Sequence, residues 1–93
     1  MRNYEAVVVV DPRLEDAGIQ QAVDKFTKVI SSRGVLGKLD TWGRRRLAYE
    51  INHLREGHYV VAGFQAEADL IEELDRTLRI GEEYIRHKIV RVP

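Results

Sequence analysis

Trp42-Gly43-Arg44-Arg45-Arg46-Leu47-Ala48-Tyr49-Glu50-Ile51 packs an indole, three consecutive guanidinium groups and a phenol into ten residues. Its second half alternates Leu47, Tyr49 and Ile51 with Arg46, Ala48 and Glu50, the period of a half-buried strand. Side chains along a strand change faces at every residue, so an inward Leu47, Tyr49 and Ile51 places Trp42, Arg44 and Arg46 on the solvent side. Upstream, the extended segment begins at Val35 and is interrupted by Gly37 and Gly43, two positions that predict bulges or bends. Downstream, Asn52-His53-Leu54-Arg55-Glu56-Gly57 reads as a polar hairpin loop leading to a strand from His58 to Ala66.

This hairpin is flanked on each side by a helix and then a strand. From Glu15 to Arg33 the apolar residues Ile19, Ala22, Val23, Phe26, Val29 and Ile30 recur with helical spacing, acids occupy the first turn, and Gly34 stands at the end. A second helix over 68–79 carries Leu70, Ile71, Leu74 and Leu78 on one face and is closed by Gly81. The outermost strands are Arg2–Val10, ending at the Asp11-Pro12 turn, and Tyr84–Val92, where Ile85, His87 and Ile89 alternate with Arg86, Lys88 and Val90. The order β-α-β-β-α-β, with right-handed crossovers, predicts an α+β, ferredoxin-like split β-α-β fold, a four-stranded antiparallel sheet with two helices on one face. The first and third strands are expected in the centre and the arginine- and lysine-bearing second and fourth at the edges.

Residues 1–93 are expected to form a single domain with one modest core. Apolar residues make up 44% of the chain, and there are no cysteines, which removes disulfides, thiolate nucleophiles and zinc-thiolate sites. The longest apolar runs are too short to cross a membrane and the N-terminus is polar, so a soluble, cytoplasmic protein is expected. Net charge is zero but unevenly spread: residues 41–49 hold three arginines and no acid, whereas Glu67, Asp69, Glu72, Glu73 and Asp75 form an acidic block. Separated blocks let a neutral chain show a basic face to a polyanion.

The open face of the sheet is expected to carry Trp42, Arg44 and Arg46 on one edge, Tyr59 and Val61 in the middle, and Arg86 and Lys88 on the other edge. The face of Tyr4 stays open, since both sides of the first strand carry apolar residues. Basic groups interleaved with aromatic rings suit a nucleic acid, because guanidinium groups bind phosphates and rings stack on unpaired bases. The third strand, His-Tyr-Val-Val-Ala-Gly-Phe, lacks the aromatic pattern of the common RNA-recognition motif, which argues against base-by-base reading.

Met-Arg-Asn-Tyr-Glu at the start, the Asp-Pro turn, the Trp42–Ile51 stretch and the closing Tyr-Ile-Arg-His-Lys-Ile-Val-Arg together resemble the bacterial small-subunit ribosomal protein six family, collinearly over essentially the whole chain. The resemblance implies a non-enzymatic ferredoxin-like protein that binds the central domain of the small-subunit ribosomal RNA together with ribosomal protein eighteen of the same subunit. The residues expected to meet RNA or that partner are Arg2, Trp42, Arg44, Arg45, Arg46, Arg86, Lys88 and Arg91. Trp42 is alternatively a cover for the core at the strand's bend. Tyr49 is expected in the core, His53 and His58 in a solvated loop, and His87 in a largely buried, hydrogen-bonded position. Two departures from the family stand out. Glu50 occupies a position where many members have proline, and the sequence reaches only Pro93, where relatives often carry a charged extension; whether such a tail exists here stays open.

No catalytic group is expected. Asp11-Pro12-Arg13-Leu14 offers no glycine-rich nest for an anion, no histidine–carboxylate set has metal-ligand spacing, and no serine lies in a nucleophile motif. Neither a metal, a cofactor nor a small-molecule substrate is implied. The remaining alternative is a ferredoxin-like regulatory or ligand-sensing module that dimerises through its sheet.

Overall fold

The computed structural model describes residues 1–93. Its elements are β1 (Arg2–Val10), α1 (Asp16–Arg33), β2 (Val35–Ile51), β3 (Leu54–Ala66), α2 (Ala68–Ile80) and β4 (Tyr84–Val92). The sheet is antiparallel with order β2-β3-β1-β4, so the apolar strands β1 and β3 are central and the charged strands β2 and β4 form its edges.

One side of the sheet carries the core. Ala6, Val8 and Val10 of β1 and Val60, Ala62, Phe64 and Ala66 of β3 meet Ala22, Val23, Phe26 and Ile30 of α1 and Leu70, Leu74 and Leu78 of α2. Their burial supplies the main stabilising term, since water gains from every apolar surface the two layers remove from it. Tyr4 falls on this side, stacked on Phe64 with ring centroids 5.8 Å apart. Tyr84 ties β4 to α1: its hydroxyl donates to the Ala22 carbonyl at 2.6 Å, and burial pushes the phenol's pKa well above its usual range, with Glu83 adding to the effect. His87 lies on the same side, where its Nε2 and a carboxylate oxygen of Asp75 are 2.8 Å apart, linking β4 to α2.

Two features of β2 shape the site, and the first differs from expectation. The hairpin turn is only Asn52-His53, both with positive φ (50° and 66°), the geometry whose twist suits two antiparallel strands. The strands around it are correspondingly longer. Pairing of β3 with β1 ends at His58 opposite Val10, so Leu54–Gly57 and the facing part of β2 continue past the sheet as a two-stranded arm. The bulges expected at the two glycines are present, as register shifts between Leu36 and Lys38 and between Thr41 and Gly43, where Gly43 adopts φ 79°. Trp42 is the inserted residue. Because side-chain direction has period two, the insertion reverses the faces of everything beyond it.

Candidate nucleic-acid and protein interface

The consequence for the arginine run is a correction. Arg44 pairs in register with His58 and Arg46 with Glu56, on the helix side, whereas Arg45 pairs with Gly57 on the open side. Trp42 therefore shares its face with Arg45 and Leu47, not with Arg44 and Arg46. Its indole is 51% exposed and lies nearly parallel to Tyr59, with centroids 6.2 Å apart, while the Arg45 guanidinium sits 5.8 Å from the indole centroid. The alternative of a core-covering Trp42 is not what the structure holds.

Leu47 is buried, at 7% exposure, but away from the helices. It lies with Val9, also buried and also outside the main core, around Gly57 and the cavity on the open face. The arm can lie down onto this face because Gly57 has no side chain: a β-carbon there would overlap Val9 Cγ1 and meet Leu47 Cδ2 at 3.5 Å. Two-stranded ribbons twist more strongly than wide sheets, and the irregular pairing between Arg46 and Ile51 loosens this one further. As a result Tyr49 crosses to the opposite edge of the sheet, where its hydroxyl accepts a hydrogen bond from Arg86 and the guanidinium lies 5.3 Å from the ring centroid. Tyr49 is 58% exposed, so its expected core position is overturned; alternation identified a face but not whether anything covered it. Beneath the Tyr49–Arg86 closure lies a cavity lined chiefly by Val7, Val9, Leu47, Ile51 and Tyr59, with Lys88 at its margin.

On the helix side the arm has different chemistry. Pro12, Arg13, Arg44, Arg46, His53, Leu54, Arg55 and Glu56 surround a shallow concavity that runs from its root to its turn. Arg44 donates to the Pro12 carbonyl at 3.2 Å and lies 3.6 Å from a Glu56 carboxylate oxygen. Arg13 is held firmly, its Nε and Nη2 donating to the two oxygens of Asp11 at 3.0 and 2.8 Å. Hydrogen bonding from Arg13 pulls the Asp11 carboxyl below its ordinary pKa against the opposing effect of burial. At the tip, Glu50 faces His53 at 3.4 Å and Arg55 at 3.9 Å. Glu50 thus bridges the two strands of the arm.

The remaining expected residues do not join one strip. Arg86 and Lys88 face the open side, opposite Val9 and Val7. Arg2 and Arg91 lie at the far end of the sheet, opposite Ala66 and Tyr4 on the helix side. There the terminal ammonium pairs with Glu67 at 3.2 Å, so that end is electrostatically mixed. The acidic block of α2 is partly neutralised by Arg33, which bonds both Asp69 and Glu73. Arg13 and Arg55 were missed by sequence reasoning. The Asp11-Pro12-Arg13 spacing held a signal for the first, since Asp in a turn bonds groups two residues on; Arg55 was hidden by its assignment to a loop. No group of three or more His, Cys, Asp or Glu side chains is arranged to hold a metal ion, and no helix is long and apolar enough to cross a membrane.

The structure is a ferredoxin-like split β-α-β sheet with an arginine-rich hairpin arm, whose open side carries Trp42, Leu47 and Tyr49 beside Arg45 and whose helix side carries Arg44 and Arg46. Residues 3–91 match the family described as Ribosomal protein S6. The chain is 45% identical over 92 residues to small ribosomal subunit protein bS6 of Alkaliphilus oremlandii, covering 99% of this chain and 98% of that one. It is 48% identical over 92 residues to the bS6 protein of Desulforudis audaxviator, with 98% of each chain covered. The crystal structure of ribosomal protein S6 from Thermotoga maritima superposes with a TM-score of 0.93 at 30% identity, covering 98% of this chain and 87% of that one. The chain belongs to the ribosomal protein S6 family of the bacterial small subunit, a structural part of the ribosome.

Proposed function

We propose that this protein binds the central domain of the small-subunit ribosomal RNA jointly with small-subunit ribosomal protein eighteen, in the bacterial cytoplasm and without catalysis. The observation that carries this reading is the two-sided arm: Trp42, Leu47 and Tyr49 with Arg45 on the open side, where Trp42 stacks on Tyr59 of the sheet, and exposed Arg44 and Arg46 on the other. Membership of the S6 family supports it independently. Guanidinium groups neutralise phosphates and release condensed counterions, which makes affinity fall with salt. Apolar surface exposed beside a polar rim suits a protein partner. In this reading Arg44, Arg45, Arg46, Arg86 and Lys88 contact RNA or the partner near the arm, and Arg2 and Arg91 contribute from the far end.

The test is a titration against a central-domain RNA fragment, with and without protein eighteen, at several salt concentrations. Salt-sensitive binding that tightens with the partner supports the joint complex. Absence of binding in both conditions overturns it and favours the ligand-sensing module, whose own signature is a change of oligomeric state with a small molecule.

A further inference from the structure

Arg13 and Arg55 have no part in the fold's core or in the stacked open face, and with Arg44 and Arg46 they line one concavity along the arm, with Asp11 holding Arg13. Resting on the RNA-binding reading above, we infer that this helix-side notch is a phosphate-binding site for paired RNA, and that the open face is left free for the protein partner. Four arginines line the notch, three of them paired with Asp11, Glu56 and Glu50, so it keeps a net positive charge with His53 beside them. Its lining contains no Phe, Tyr or Trp, so it has no platform for an unpaired base, and its donors suit the phosphodiester backbone of a duplex.

The acids facing the notch are arranged in two ways. Glu56 at 3.6 Å from Arg44, and Glu50 at 3.9 Å from Arg55, form exposed ion pairs of the weak kind that phosphates displace readily. Asp11 is different. It is buried, its backbone N–H donates to the Glu83 carbonyl at 2.8 Å, and it grips Arg13 through two parallel hydrogen bonds. Nη1 of Arg13 takes no part in that grip, so one edge of a fixed guanidinium remains for a phosphate. Asp11 is a positioning residue, and Arg13 is the preorganised anchor of the site.

The test is the Arg13→Ala/Arg55→Ala double variant, read in two ways: affinity for the central-domain RNA fragment as a function of salt, and association with protein eighteen in the absence of RNA. The expected result is RNA binding weakened about tenfold, with the log–log salt slope reduced by roughly two, one per lost phosphate contact. Association with protein eighteen is unchanged. The reciprocal variant Trp42→Ala/Tyr49→Ala weakens association with the protein and keeps the salt slope. Wild-type affinity and slope in the arginine variant, alongside normal RNA binding by the unmodified chain, overturn the notch and leave the RNA reading standing. No RNA binding by the unmodified chain overturns the RNA reading itself.

Asp11→Asn separates positioning from charge. It removes a negative charge near the notch, which by charge alone tightens RNA binding. Loss of the grip on Arg13 weakens it instead, several-fold, and that is the expected result. Tighter binding overturns the positioning role.

Discussion

The two faces of the sheet bury comparable residue types for different ends. On the helix side Val8, Val10, Val60, Phe64 and three leucines of α2 are shut between two layers that span the whole molecule. On the open side Val9 and Leu47 are nearly as inaccessible, yet they pack where one arm, tied by a tyrosine–arginine contact, lies over the sheet. The first cluster is the core on which folding depends. The second orders a surface, fixing where Trp42, Arg45 and Tyr49 stand, and its cover can yield without unfolding the sheet.

The largest expected effects test that contrast directly. Leu74 is fully buried, so Leu74→Ala leaves a cavity that two layers cannot close, and denaturant unfolding should show a loss of about 3–5 kcal/mol. Leu47→Ala should cost about 2 kcal/mol, near the value of its buried surface alone, because the arm can settle into the space. Equal losses would mean that the open-face cluster belongs to the same rigid core. Gly57→Ala is expected next, at about 1–2 kcal/mol, since the new methyl collides with Val9 and must lift the arm. Its sharper signature is functional: Tyr49 should leave Arg86, seen as a changed tyrosine environment with the helices intact.

Much of the first region was legible in the sequence, and less of the second. The helices and the central strands follow from apolar spacing, because a face that must be buried writes its period into the chain. The bend at Gly43 was legible too, but its effect was not: a single inserted residue, Trp42, exchanges the faces of Arg44, Arg45 and Arg46. Leu47 was correctly expected to be buried, though against the open face. The length of the arm was missed because Asn-His lacks the glycine that usually marks a two-residue turn. His87 was placed correctly since it alternates with Ile89 on the helix side, where only a polar partner such as Asp75 makes its burial tolerable.

The two regions also differ in their response to acid. Hydrogen bonds from Arg13 lower the pKa of Asp11, and hydrogen bonding to His87 lowers that of Asp75, both from an ordinary 3.8. A carboxyl whose folded pKa lies below its unfolded one contributes stability above the unfolded value and loses it as pH falls through the folded value. Stability should therefore decline below about pH 4 as these two carboxyls take up protons. Asp75→Asn should flatten that decline by removing a tie between α2 and β4. Asp11→Asn should flatten it as well, but with an added change at the root of the arm. An unaltered acid limb in both variants would show that other groups govern acid unfolding. At the alkaline end the buried Tyr84, with its raised pKa, should add a loss of stability once pH passes about 10, where an unfolded phenol ionises.

The smallest expected effect on stability falls on the residue most prominent in the sequence. Trp42 stands half in solvent on an edge strand, and its contacts are one stacked ring and one guanidinium. Stacked pairs contribute about 0.5–1.5 kcal/mol beyond burial, and at an exposed edge the lower end applies, so Trp42→Ala should cost less than about 1 kcal/mol. Tyr59 stacks on the indole and the Arg45 guanidinium lies beside it, so its orientation is set without a large share in the fold's stability. A loss above about 3 kcal/mol would place Trp42 among the residues that hold the fold together. A negligible loss of stability, combined with clearly weakened association with protein eighteen, would locate the partner on the open face and leave the arginines of the opposite side to the RNA.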